Sequence, residues 1–185
     1  MGSRLRAGRA HREQHSVIGY DSYGHELFDT RRSPMGDLLY RLKYRGDRTA
    51  LDPIADTVAE FLERWGAPVD ALVPVPPNNT ARQVQPVLEV ARAVCKRTGI
   101  PLCDCLRKVK ETGQLKDVFD LNKRAALLRG AFAVDRNRTE GRRLLLFDDL
   151  FRSGATVTTI TRTLLSDGHA ASVFLLTLTR PRRKS

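Results

Sequence analysis

The chain has 185 residues and 41% apolar content, enough for one ordinary domain with a real core and too apolar for a disordered chain. With 32 Lys and Arg against 21 Asp and Glu the net charge is +11, a balance that favours polyanionic partners such as nucleic acid, nucleotides or pyrophosphates. No apolar run reaches the length of a membrane span, and no signal-peptide core follows Met1-Gly2-Ser3-Arg4-Leu5-Arg6, so a cytoplasmic protein is expected.

Arg4, Arg6, Arg9 and Arg12 mark a basic arm, and residues 1–16 read as flexible. Val17–Tyr20 and Glu26–Phe28, with Asp21-Ser22-Tyr23-Gly24 between them, predict a short hairpin. Residues 1–32 are thus arm and hairpin, 33–180 the main domain and 181–185 a tail. Ser33-Pro34 predicts a helix start. Met35, Leu38, Leu39 and Leu42 share one helical face, and Gly46 ends it. A second helix carries Leu51, Ile54, Ala55, Val58, Phe61, Leu62 and Trp65 inward and stops at Gly66-Ala67-Pro68. Ala71–Val75 predicts a strand, broken by Pro76-Pro77, and a helix follows from about Gln85 to Arg97. Leu102–Arg107 reads as another strand, with Cys103 and Cys105 on one face. Residues 108–128 are polar, and Ala131–Val134 is β-like. Leu144–Phe147 is a buried-type strand, Ala155–Ser166 a helix, and Val173–Leu178 a last strand. This order predicts an α/β fold with a mainly parallel sheet flanked by helices. Arg180, Arg182, Arg183 and Lys184 add basic charge at the end.

The most informative stretch is residues 144–156, Leu-Leu-Leu-Phe-Asp-Asp-Leu-Phe-Arg-Ser-Gly-Ala-Thr. It places Asp148 and Asp149 at the carboxyl end of a strand, where open α/β sheets bind ligands. Adjacent carboxylates accept hydrogen bonds from vicinal ribose hydroxyls. Arg152, Ser153, Gly154, Ala155 and Thr156 form the next loop: Gly154 permits close approach, Ser153 and Thr156 offer hydroxyls, and the helix start presents N–H groups to a phosphate. A strand–turn–helix capped by Asp and Ser is the alternative. The three cysteines, Cys95, Cys103 and Cys105, lack zinc or disulfide spacing and read as core or half-buried thiols. His11, His15, His25 and His169 show no triad or ligand spacing. There is no Walker loop and no G-x-G-x-x-G, which argues against triphosphatases and dinucleotide enzymes.

The thirteen residues resemble the ribose-phosphate signature of type I phosphoribosyltransferases, with Arg152 where a Thr is common. From about residue 34 to 180 the chain resembles the ComF-like (competence protein F) branch. Leu42-Lys43-Tyr44-Arg45-Gly46-Asp47 resembles its L-K-Y-x-G-D segment, and Val73-Pro74-Val75-Pro76 its V-P-V-P strand. Arg107, Thr112 and Gln114 resemble its R…T-x-x-Q stretch, and Arg124 with Gly130-Ala131-Phe132 its R…G-A-F run. Three features depart from it: Arg82-Gln83-Val84-Gln85-Pro86 keeps only the Arg of R-G-F-N-Q, Leu127 stands where Asn is expected, and the chain has no zinc ribbon.

The resemblance implies a type I phosphoribosyltransferase fold with a small hood and flap. It implies binding of phosphoribosyl pyrophosphate and Mg²⁺, and transfer of ribose 5-phosphate to an acceptor with release of pyrophosphate. Asp148 and Asp149 would be the catalytic acids, holding the ribose hydroxyls and the metal through water. Arg152–Thr156 would cradle the 5′-phosphate. Pro76, Pro77, Asn78, Asn79 and Arg82 would face the pyrophosphate, and Lys108, Lys110, Gln114 and Lys116 would lie on a flap. The alternative function is non-catalytic: nucleic-acid binding through the basic termini, or regulation, of the competence type. The acceptor and the oligomeric state, a homodimer included, stay open.

Overall fold

Leu144, Leu145, Leu146 and Phe147 are each at most 1% exposed. Burial on both sides explains why four apolar residues stand in a row without alternation. The structure, a computed structural model, describes residues 11–12, 14–20, 26–77, 85–110, 128, 130–151 and 154–180. In chain order its strands and helices are β1 (His11–Arg12), β2 (Gln14–Tyr20), β3 (Glu26–Arg31), α1 (Pro34–Tyr44), α2 (Leu51–Trp65), β4 (Ala71–Pro74), α3 (Pro86–Thr98), β5 (Leu106–Lys108), β6 (Phe132–Val134), β7 (Arg143–Leu150), α4 (Ala155–Ser166) and β8 (Ser172–Arg180).

The main sheet runs β1-β8-β7-β4, all parallel. On one face α1, α2 and α3 bury Leu39, Leu42, Ile54, Val58, Val90 and Val94 against Leu145, Phe147 and Leu178. On the other, Val157, Ile160 and Leu164 of α4 cover Leu144, Leu146 and Val73. Successive residues of β7 thus serve opposite cores, as the period of two in a strand requires. The start of β7 is tied to β4 by Asp70, whose carboxylate takes both the Arg143 guanidinium at 2.6 Å and the Arg143 N–H at 2.7 Å.

The helix starts follow local chemistry. The Ser33 hydroxyl accepts the Gly36 N–H at 3.1 Å, with Pro34 in the first turn where no intrahelical N–H bond is lost. Asp47 caps a single 3₁₀ turn, Arg48–Ala50, through the Thr49 N–H.

Two expectations change. Residues 11–12 and 14–16 of the basic arm form strands: β1 extends the main sheet beside Thr179 and Arg180, and β2 pairs antiparallel with β3 in a hairpin longer than predicted. Leu102–Arg107 is not one strand. Leu102 bridges in parallel to Leu72 at the edge of the main sheet, whereas Leu106–Lys108 pairs antiparallel with Phe132–Val134 in a separate small sheet. The chain changes sheets between them, so Cys103 and Cys105 do not lie on one strand, yet both still turn to the same side, into the core that holds Val73 and Leu146. Both are buried, as expected. Their thiols hydrogen-bond to each other, which pulls Cys103 below the usual thiol range and pushes Cys105 above it.

Candidate functional site

The carboxyl ends of β4 and β7 meet in register, with Pro74 beside Phe147 and the Val75 N–H donating to the Phe147 carbonyl at 2.9 Å. Pro76 and Pro77 therefore leave the sheet next to Asp148. On the other flank, Asp148 pairs with Thr177 of β8. The Thr179 hydroxyl donates to the Asp149 carbonyl at 3.0 Å, and the Phe151 N–H donates to the Thr179 carbonyl at 2.9 Å. Thr179 is 3% exposed, so the backbone leaving β7 is fixed from inside the fold.

The two acids are placed differently. The Asp148 Oδ1 accepts the Asp149 N–H at 2.8 Å. Burial first, and the neighbouring Asp149 second, push Asp148 from 3.8 up to about 7, although Lys43 pulls the other way. Asp149 instead has a cation of its own: Lys43 Nζ lies 2.5 Å from its Oδ2, with the two side chains only 18% and 13% exposed.

After β7 the chain turns into α4 at Gly154, which holds φ +77°. A Cβ there would meet the Phe151 ring at 3.0 Å, so the turn needs glycine for conformation and for space. The first helical bond runs from the Thr158 N–H to the Gly154 carbonyl at 2.8 Å. The N–H groups of Ala155, Thr156 and Val157 lie ahead of that ladder, and Gly154 has no side chain to cap them. Such a helix start suits an anion.

The structure thus brings Asp148, Asp149, Gly154, Ala155 and Thr156 together at one strand end, beside Pro76 and Pro77. Lys108 lies on the small sheet opposite Phe132, and Lys110 is exposed just beyond it. Asn78, Asn79, Arg82, Gln114, Lys116, Arg152 and Ser153 lie outside the described residues.

Two residues escape a reading of the sequence as a site. Lys43 was visible only as part of the L-K-Y-x-G-D segment. That segment divides its work: Lys43 reaches the acids, while Asp47 takes the Arg41 guanidinium at 2.7 Å and caps the next turn. Thr179 carried no signal beyond its place at the end of an apolar strand. The structure also gathers an aromatic and cationic cluster that chain order hides. Tyr40 and Tyr44 lie 5.2 Å apart, and the Arg32 guanidinium sits 3.8 Å over the Tyr40 ring.

A parallel sheet with helices on both faces, an acid pair at a central strand end and a glycine turn into a helix is the architecture of type I phosphoribosyltransferases, and the chain has that fold. Solved structures that share it include an adenine phosphoribosyltransferase, with TM-score 0.53, 10% identity, and coverage of 91% of this chain and 84% of that one. The Saccharomyces cerevisiae adenine phosphoribosyltransferase, complexed with an imino-altritol bisphosphate and adenine, gives TM-score 0.50, 10% identity, and 91% and 83% coverage. The glutamine phosphoribosylpyrophosphate amidotransferase of B. subtilis gives TM-score 0.50 and 20% identity over 70% of this chain and 26% of that one. In sequence the chain is similar to the competence protein ComFC of Bacillus subtilis strain 168, 29% identical over 153 residues, or 82% of this chain. The chain spans 62% of the length of that relative. No protein-family model matches.

Proposed function

We propose that the chain binds phosphoribosyl pyrophosphate with Mg²⁺ and transfers ribose 5-phosphate to an acceptor, releasing pyrophosphate. The observation that carries this reading is the acid pair Asp148–Asp149 at the end of β7, followed within one turn by the Gly154 entry to α4. In this reading the α4 N–H groups, with Arg152, Ser153 and Thr156, hold the 5′-phosphate. Asp148 and Asp149 orient the ribose hydroxyls. The chain after Val75, with Pro76, Pro77, Asn78, Asn79 and Arg82, faces the pyrophosphate, and Lys108, Lys110 and Gln114 approach it from a flap.

Among the described residues no group of three or more His, Cys, Asp or Glu stands together to hold a metal. Two carboxylates nevertheless fit Mg²⁺, which takes one or two of them and completes its shell with water and substrate oxygens. Asp148 and Asp149 would hold it through water only once the pyrophosphate is bound, and it would supply positive charge to that leaving group. The protein's own share is placement of the sugar between two anion-facing elements.

Calorimetric titration with phosphoribosyl pyrophosphate and Mg²⁺ tests the reading. Saturable binding is expected in the wild type and its loss in Asp148→Asn/Asp149→Asn. A silent wild type, or a double variant that binds as well, contradicts it. Pyrophosphate release over a panel of acceptors then separates a transferase from a binding protein.

A second reading has its own support. The Arg32–Tyr40–Tyr44 cluster, with Arg45 5.6 Å from the Tyr40 ring centroid, combines cations with stacking faces, and Tyr44 is 64% exposed. With a net charge of +11, it favours a nucleic-acid-binding role of the competence type. Single-stranded DNA binding that weakens steeply with salt and falls about tenfold in Tyr44→Ala is expected on that reading. No binding at low salt removes it.

A further inference from the structure

We infer that Lys43 is a tethered cation of the ribose site, which orients Asp149 and makes sugar-phosphate binding at the acid pair independent of a divalent ion. This rests on the ribose-phosphate reading above. Lys43 and Asp149 are 106 residues apart in sequence, yet their side chains meet at 2.5 Å with most of their surface buried. The contact is built from both ends. Lys43 lies on the last turn of α1, at the border of the face that buries Leu39 and Leu42. Helix α1 packs against β8 and β1, so the lysine reaches the acids from the flank opposite β4. Thr179 holds the Asp149 backbone carbonyl at 3.0 Å, which keeps the residue within reach of the lysine.

The consequence is electrostatic. With Oδ2 held by the ammonium, Asp149 has Oδ1 to offer a ligand. A divalent cation at the same carboxylate would stand beside a fixed positive charge in a poorly solvated place, where like charges repel strongly. An ammonium has three donors and spends one on Asp149. The others suit a ribose hydroxyl or an ester oxygen, so Lys43 supplies the charge and the orientation that a metal would bring. The demand for Mg²⁺ then belongs to the pyrophosphate on the β4 side.

Ribose 5-phosphate, which lacks the pyrophosphate, isolates this contribution. Its affinity is measured by calorimetry with Mg²⁺ and with a chelator, for wild type, Lys43→Met and Lys43→Arg, with melting temperatures taken in parallel. The wild type is expected to bind within about twofold under both conditions. Lys43→Met is expected to bind about tenfold more weakly with chelator and to regain affinity with Mg²⁺ or Mn²⁺, and Lys43→Arg to stay close to the wild type. Mn²⁺ titration followed by electron paramagnetic resonance should show a site in Lys43→Met that the wild type lacks. A wild type that needs Mg²⁺ to bind ribose 5-phosphate overturns the inference without any variant. So does a Lys43→Met protein weakened equally with and without metal, the mark of a purely structural ion pair. A wild type that binds ribose 5-phosphate under neither condition contradicts the ribose-phosphate reading, and this inference with it.

Discussion

Asp148→Asn is expected to stabilise the protein at pH 8 by about 2–4 kcal/mol and to leave its stability at pH 4 nearly unchanged. Burial and the charge of Asp149 raise the Asp148 carboxyl from 3.8 to about 7. Between those values the folded state holds a proton that the unfolded chain has lost. Wild-type stability therefore falls as pH rises from about 4 to about 7, and the penalty is complete above that range. At about 1.4 kcal/mol per unit the ceiling is about 4 kcal/mol, and partial access to water lowers it. Asparagine keeps an oxygen for the Asp149 N–H, which Asp148 accepts at 2.8 Å, and cannot ionise. Asp70, held down to about 2 by Arg143, loses its contribution only on acidification towards that value, and it does so in both proteins. Urea unfolding from pH 4 to pH 8 checks this: the wild type should lose stability across the window, while the variant stays level. Parallel profiles would mean that Asp148 is not strained. A destabilising acid retained at a strand end is what a binding site predicts, since sites sacrifice stability for ligand contacts.

Gly154→Val is expected to lower the melting temperature by several degrees and to weaken ribose 5-phosphate binding at least tenfold. Any L-residue at this left-handed φ costs about 1–2 kcal/mol, more for a β-branched one, and for a chain of this size each kcal/mol is worth about 2–4 °C. The new side chain would also meet the Phe151 ring, which stands 3.0 Å from the Cβ position. Phe151 packs against the core between the sheet and α4, so the ring yields only by shifting the turn that sets the α4 N–H groups. Scanning calorimetry and isothermal titration read the two effects separately. Unchanged binding in a destabilised variant would remove this turn from the phosphate site.

The strand that carries the site was plain in the sequence because it is covered on both faces: Leu144–Phe147 has no polar residue to confuse its reading. The acids and glycine after it were legible for the same reason, since an apolar run that stops at Asp148 marks the sheet's edge. Lys43 was not legible. On a helix wheel it looks like any solvated lysine beside the core stripe, and only the packing of α1 against β8 brings it to Asp149. Leu102–Arg107 misled because its apolar residues serve two sheets, one through Leu72 and one through Phe132–Val134. Local pattern cannot say which partner a short segment will pair with. The hairpin was underestimated at its open end because Gln14, His15 and Ser16 offer no apolar alternation, although they pair with Arg31, Thr30 and Asp29.

The most direct test of the central claim is a crystal structure of the protein soaked with ribose 5-phosphate. The account predicts the phosphate at the N–H groups of Ala155, Thr156 and Val157, and the sugar hydroxyls against Asp148 and Asp149. A phosphate seated elsewhere, with the acid pair untouched, would contradict it.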